Sequence, residues 1–160
     1  MSLYDIHSEL DPRLVVIGTI VAATDGEFDV DGAYYHDNEE MFAPVIDLIG
    51  FNAADLCVSY LADLAEDKEL TVKIDYATTN NLATVSWHNA TQTTLLDTTV
   101  IATGDTGGSI EQGTFNAGLN LEKLSRYIKF YITFNLTNTS TDSAVVSVVA
   151  NLGGPDTTPV

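Results

Sequence analysis

From Arg126 to Leu136 apolar and polar side chains alternate with a period of two. Ile128, Phe130, Ile132, Phe134 and Leu136 fall on one side, and Tyr127, Lys129, Tyr131, Thr133 and Asn135 on the other. Successive side chains of a strand point to opposite faces, so this spacing predicts a half-buried antiparallel strand built from residues that suit a pleated surface. The same alternation runs through Leu70, Val72, Ile74 and Tyr76, and again through Ala83, Val85 and Trp87. With Asn80-Asn81 between them as turn residues, these two runs are expected to be neighbouring strands of a hairpin. Val146, Val148, Ala150 and Leu152 alternate with Val145, Ser147 and Val149 until Gly153-Gly154-Pro155 stops the strand. Leu14 to Ala23 is apolar on both sides, which suits a strand central in a sandwich or covered by a neighbouring subunit.

Seven or eight strands emerge, with at most short helical turns at Asn120 to Ser125 and Asp63 to Lys68, each too brief to form a layer. Many strands punctuated by turns, without alternating helices, predict an all-β fold: a β-sandwich of the jelly-roll kind in a single domain. An extended N-terminal arm occupies residues 1–13, the sandwich 14–155 and a short tail 156–160. The acidic stretch Asp31 to Ala43 and the Gly-rich stretch Thr103 to Gly118 are expected to be loops, and Trp87 is expected in the core.

Charge narrows the partners. Among 160 residues, 23 Asp and Glu stand against 6 Lys and Arg, for a formal net charge of −17. A phosphate backbone is repelled by such a field, because affinity for nucleic acid comes mainly from Lys and Arg displacing counterions. Anionic membrane surfaces are disfavoured likewise, and no apolar run approaches the roughly 20 residues that span a bilayer. The start of the chain carries Asp5, Glu9 and Asp11 and does not read as a secretory signal. Asn89-Ala-Thr91, Asn135-Leu-Thr137 and Asn138-Thr-Ser140 match the glycosylation pattern and are read as accidental in a Thr-rich chain.

No chemistry-bearing motif stands out. Glu27, Asp29 and Asp31 before Gly32 resemble the opening of a calcium loop, since alternate oxygen ligands and a turn glycine suit a hard cation. The first position is Glu where Asp is expected, and Asn38 stands where the closing carboxylate belongs. Phe28 and Val30 alternate with the acids, as in a strand with one solvated face. These three are candidate cation ligands at most, and no metal or other cofactor is expected. His7, His36 and His88 lack ligand spacing. Cys57, the single cysteine, faces away from Leu56 and Val58 and reads as a small packed side chain. There is no G-x-S-x-G elbow, and the glycines from Gly104 to Gly108 lack the lysine of a phosphate loop. An enzyme is not expected.

What remains is apolar surface suited to protein partners. In the arm, Leu3, Tyr4, Ile6 and Leu10 have neither helical nor strand period, so the arm has no reason to fold alone and is expected to lie on a neighbour. Val15 and Ile17 in the doubly apolar strand, and Phe42 near the end of the acidic stretch, are further candidate contacts.

Four stretches carry a family resemblance. They are the opening Ser2-Leu3-Tyr4-Asp5-Ile6-His7, the lead Ile46-Asp47 to Gly50-Phe51 into a strand, Arg126-Tyr127-Ile128 opening a late strand, and the close from Ser147 to Pro155 and on to Pro159-Val160. In these the chain resembles the head decoration, or capsid cement, proteins of tailed bacteriophages, and the likeness spans nearly its whole length. The resemblance implies a β-rich, jelly-roll-like protein on the outer face of the virion, gluing neighbouring copies of the major capsid protein. A homo-oligomer is expected, trimer ahead of dimer. The segment Ala33 to Ala43 departs from the pattern. The rival expectation is a calcium-dependent carbohydrate- or receptor-binding sandwich of a fibre or adhesin.

Overall fold

The computed structural model describes residues 10–21, 34–35, 40–42, 45–137 and 141–155. Ten strands appear among them: β1 (Leu10–Val21), β2 (Tyr34–Tyr35), β3 (Glu40–Phe42), β4 (Ile46–Asp47), β5 (Phe51–Leu64), β6 (Glu69–Thr79), β7 (Thr93–Thr103), β8 (Ser109–Asn120), β9 (Tyr127–Leu136) and β10 (Ser143–Pro155). One sheet runs β2-β1-β10-β5-β8; the other runs β3-β9-β6-β7, with β4 also on β9. All pairs are antiparallel except β1 with β2.

The pairing is nested. β6 pairs with β7, β5 with β8, β3 and β4 with β9, and β1 with β10, as if one long hairpin had been rolled up. Rolling puts alternate pairs in different sheets, and β10 and β9 then bond across to β5 and β6 to complete each sheet. That is the double-sheet jelly roll. The expected fold is found.

The core lies where the two inner faces meet. From β9 come Ile128, Phe130, Ile132, Phe134 and Leu136; from β6 Leu70, Val72 and Ile74; from β10 Val146, Val148, Ala150 and Leu152; from β5 Leu56 and Val58, all essentially inaccessible. Each set is a single parity of its strand, which is why the alternation of these runs was readable. Tyr131, of the opposite parity, is buried on the outer face of its sheet. Its hydroxyl donates to the carbonyl of Trp87 at 2.6 Å, so the β6–β7 connection lies over that face.

Several expectations are corrected. Ala83 to Trp87 is not a strand: Asn81 Oδ1 accepts from the Ala83 N–H at 3.0 Å and diverts the backbone, and Trp87–Asn89 forms a 3-10 turn. The antiparallel partner of β6 on that side is β7. Trp87 is half-buried and outside the core cluster. The Gly-rich stretch is mostly strand, since only 104–108 turn. Gly107 and Gly108 there have φ of 85°, a left-handed conformation that favours glycine. Gly113 sits inside β8 because the Tyr60 side chain passes over it, its hydroxyl oxygen 2.6 Å and its Cζ 2.9 Å from where a Cβ would lie. Leu10 to Arg13, expected in the arm, pair with Gly153 to Ala150, so the strand starts four residues before Leu14, extended by ladder bonds to β10. Within the acidic stretch, 34–35 and 40–42 are strand rather than loop, each fixed by pairing to β1 or β9.

Candidate functional site

The nested pairing sends the connections to two ends of the sandwich. At one end the β5–β6 turn meets the β7–β8 turn through backbone bonds. Asp67 N–H donates to Gly104 O at 3.0 Å and Gly104 N–H to Lys68 O at 2.8 Å. A Cβ on Gly104 would lie 2.2 Å from Ala65 O, so nothing larger than glycine fits. Buried Asp142 accepts from the Ala65 N–H at 3.1 Å and ties in the start of β10. This end is a structural lock.

The other end is built differently. Leu48 to Gly50 make a tight turn from β4 into β5, with Phe51 N–H donating to Leu48 O at 3.0 Å and Gly50 at φ 86°. Leu48 points into the core, which leaves Ile49 at the tip, 65% exposed. The Leu121 to Arg126 turn lies alongside, held by Leu121 N–H to Asn52 O at 2.8 Å and Leu48 N–H to Arg126 O at 2.7 Å. Asn80, where β6 ends, accepts from the Arg126 N–H at 2.9 Å. Between these pieces opens a cleft of about 320 Å³, lined among others by Ile49, Phe51, Leu124, Ser125 and Arg126.

One ion pair fastens this end. Arg126 grips Asp47 with two nitrogens, Nε to Oδ1 at 3.0 Å and the terminal nitrogen to Oδ2 at 2.8 Å, and its guanidinium lies 5.0 Å from the centre of the Tyr127 ring. The Arg126 hydrogen bond, aided by the Ile49 N–H and opposed by partial burial, holds the Asp47 carboxyl below its ordinary range. Arg126 is raised in turn by Asp47. Lys129 is lowered by burial. The arrangement offers a protruding apolar tip beside a polar-walled cleft, a shape for docking.

The sequence-derived candidates fall as follows. Leu3, Tyr4 and Ile6, and Glu27, Asp29 and Asp31, lie outside the described residues, as do His7 and His36. Leu10, Val15 and Ile17 are in β1, and Phe42 is in β3 opposite Tyr131; of these the backbone alone is described. None of the described candidates lines the cleft. The structure brings together instead three of the stretches that carry the family resemblance: Ile46 pairs with Ile128 and Asp47 with Tyr127, while Pro155 pairs with Phe51. The Asp47–Arg126 contact joins residues 79 apart, which no local spacing reveals. A signal that could have pointed there is a turn glycine soon after an aspartate, and one of only 6 Lys and Arg opening a strand. Among the described residues no three His, Cys, Asp or Glu are grouped to hold a metal ion, and no helix is long and apolar enough to cross a membrane.

No protein-family model matches the sequence, and no curated protein matches it. Solved structures give partial likenesses. The K3 cleaved adhesin domain of Lys-gingipain from Porphyromonas gingivalis aligns over 89% of this chain and 73% of its own, at 14% identity and a TM-score of 0.43. A chain from the structure of infectious bursal disease virus, Gt strain, aligns over 91% of this chain at 13% identity and a TM-score of 0.42. A chain of that virus's VP2 subviral particle aligns over 89%, at 14% identity and a TM-score of 0.40. This chain spans about a third of the two viral chains, 34% and 33%. The jelly-roll assignment rests on the strand order itself.

Proposed function

We propose that this chain is a non-catalytic decoration protein of a phage head, which binds the outer surface of the major capsid shell and adds contact energy across its seams. What carries the reading is a convergence. Two of the four stretches resembling the cement proteins pair with each other and line the cleft beside the exposed Ile49, and a third joins them where Pro155 pairs with Phe51. Scattered coincidences of sequence have no reason to gather in space. The strong acidity suits an outer position away from packaged DNA, and many copies on one shell make a small contact per copy count. The arm before Leu10 serves in this reading as a second attachment, reaching from the end of β1 onto a neighbouring subunit.

The test is co-expression with the major capsid protein encoded in the same genome, followed by cryo-electron microscopy of the shells. Density for this chain on the outer face is expected, and shells without it refute the proposal. Ile49→Asp and deletion of residues 2–9 are each expected to weaken attachment. The deletion stops short of Leu10 because β1 begins there.

A further inference from the structure

The core stands half-open along one side of the sandwich. Leu56, Ile74, Ile132 and Val148, on β5, β6, β9 and β10, are inaccessible, whereas Leu95 and Ile101 of β7 and Phe115 and Leu119 of β8 pack against the core and stay only half-buried. β7 and β8 are the edge strands there, one from each sheet. The two edges are not alike. Along β7 the register with β6 shifts three times, and such irregularity makes a poor template for a further strand. β8 runs in unbroken register with β5 from Ser109 to Asn120 and carries no Pro and no Lys. Among the described residues no strand pairs with its other side, so about half of its 12 residues direct N–H and C=O away from β5 with no ladder partner. One side chain guards this edge. Glu111 belongs to the core-facing row of β8, opposite Ala62, and is half-buried. Among the described residues it accepts from the Ser109 hydroxyl at 2.6 Å, and no Lys or Arg pairs with it. From 93 to 120 the chain has Asp97, Asp105 and Glu111 and neither Lys nor Arg.

We propose that the β8 edge binds an extended segment of a different protein, which adds a strand to the sheet and sets a Lys or Arg against Glu111. In strand addition the backbone ladder supplies affinity and alternate side chains supply selectivity. Apolar residues on the inward row of the segment cover Phe115 and Leu119, closing the side that the fold leaves open. Charge selects the occupant. A strand laid over Glu111 without a cation takes water from a carboxylate and gives it no counter-charge, so such a strand is turned away. A second copy is turned away on the same ground, because its own edge strands β7 and β8 bring no cation and both copies stand at −17. A basic segment is drawn in by that same field. Neither Glu111 nor Phe115 lines the cleft, and the inference does not rest on the capsid reading.

The probe is a blocked peptide of alternating Thr and Val, with one Val near its C-terminal end replaced by Lys, so that antiparallel pairing brings the Lys to Glu111. Its twin carries Glu in place of the Lys. Amide hydrogen exchange of the full chain, read by mass spectrometry, is followed as each peptide is added up to about 1 mM. The Lys peptide is expected to slow exchange within 109–120 and to leave 93–103, at the other edge, unchanged. It is expected to bind at least about tenfold more tightly than the Glu peptide, and Glu111→Gln to cut that preference below about twofold. Ile49→Asp, at the cleft, is expected to alter neither result. Circular dichroism checks the fold of each variant, and the two peptides on the unaltered chain decide the matter should Glu111→Gln not fold. Exchange in 109–120 that does not slow, slowing elsewhere instead, equal binding of the two peptides, or a preference that survives Glu111→Gln overturns the proposal.

Discussion

Tyr60 is the side chain that bolts the two sheets together along one side, and Gly113 is the space it needs. The ring leaves β5 and its hydroxyl donates to the Ile101 carbonyl of β7, in the other sheet, at 2.6 Å. On the way it crosses Gly113 of β8, where an added Cβ would stand 2.6 Å from the hydroxyl oxygen and 2.9 Å from Cζ. Gly113→Ala must therefore push the ring aside. Overpacking of this kind costs about 1 to 3 kcal/mol, and a lost hydrogen bond adds about 1 kcal/mol. With Tyr60→Ala already made, the space is open, and Gly113→Ala should be neutral or stabilise by up to about 1 kcal/mol, because alanine suits a strand interior better than glycine. The double-mutant cycle, read by urea unfolding, is thus expected to show a coupling of about 2 kcal/mol or more. Additivity within about 0.5 kcal/mol would refute the reasoning, for it would mean that the methyl group and the ring do not compete for one place.

Phe130→Ala, deep between the sheets, is expected to lower unfolding free energy by about 3 to 5 kcal/mol through lost burial and the cavity left behind; a loss under about 1 kcal/mol in the same assay contradicts the core assignment. Asp47→Asn removes the negative charge and one of the two accepting oxygens that Arg126 grips. Because the folded pKa of Asp47 is lowered, its contribution is complete above the ordinary carboxylate range and is lost as pH falls through the lowered value. The variant should melt below the wild type near neutrality, by no more than about 3 °C for so exposed a pair, and the two melting curves should converge in acid; a difference that persists there points to another cause. Chelation should leave the melting temperature unchanged, whereas a marked fall reversed by calcium would install Glu27, Asp29 and Asp31 as a cation site.

The strands that were legible in the sequence are those with one dry face. In β10 burial imposes a strict parity, and in β9 the run from Ile128 to Leu136 keeps it except at Tyr131, which the β6–β7 connection covers. The elements that were misread are those where something other than burial decides. Ala83 to Trp87 has the alternation of a strand, but the chain there passes over the outer face of a sheet, held by the Tyr131 hydroxyl and by Asn81. β8 looked like a loop because its glycines were counted as turn residues, although Gly113 is there to admit a ring from β5. β7 is Thr-rich and mostly exposed at the edge of its sheet, so no parity marks it. At the candidate site the pieces were visible and their meeting was not, since Asp47 and Arg126 come together only through the pairing of β4 with β9.

The two ends of the sandwich also differ in what a substitution there can report. At the end locked by Gly104, side chains are excluded by backbone atoms, so most changes disturb folding before they disturb any contact with a partner. At the cleft end the fastening is an exposed ion pair, and the protruding Ile49 packs against nothing that the fold requires. Exposed pairs contribute little to stability. Where backbone bonds fix the geometry and the exposed ion pair adds little, the tip residue Ile49 can be altered without unfolding the domain. Loss of attachment from a variant such as Ile49→Asp, at unchanged stability and unchanged mass in solution, would therefore be attributable to binding itself.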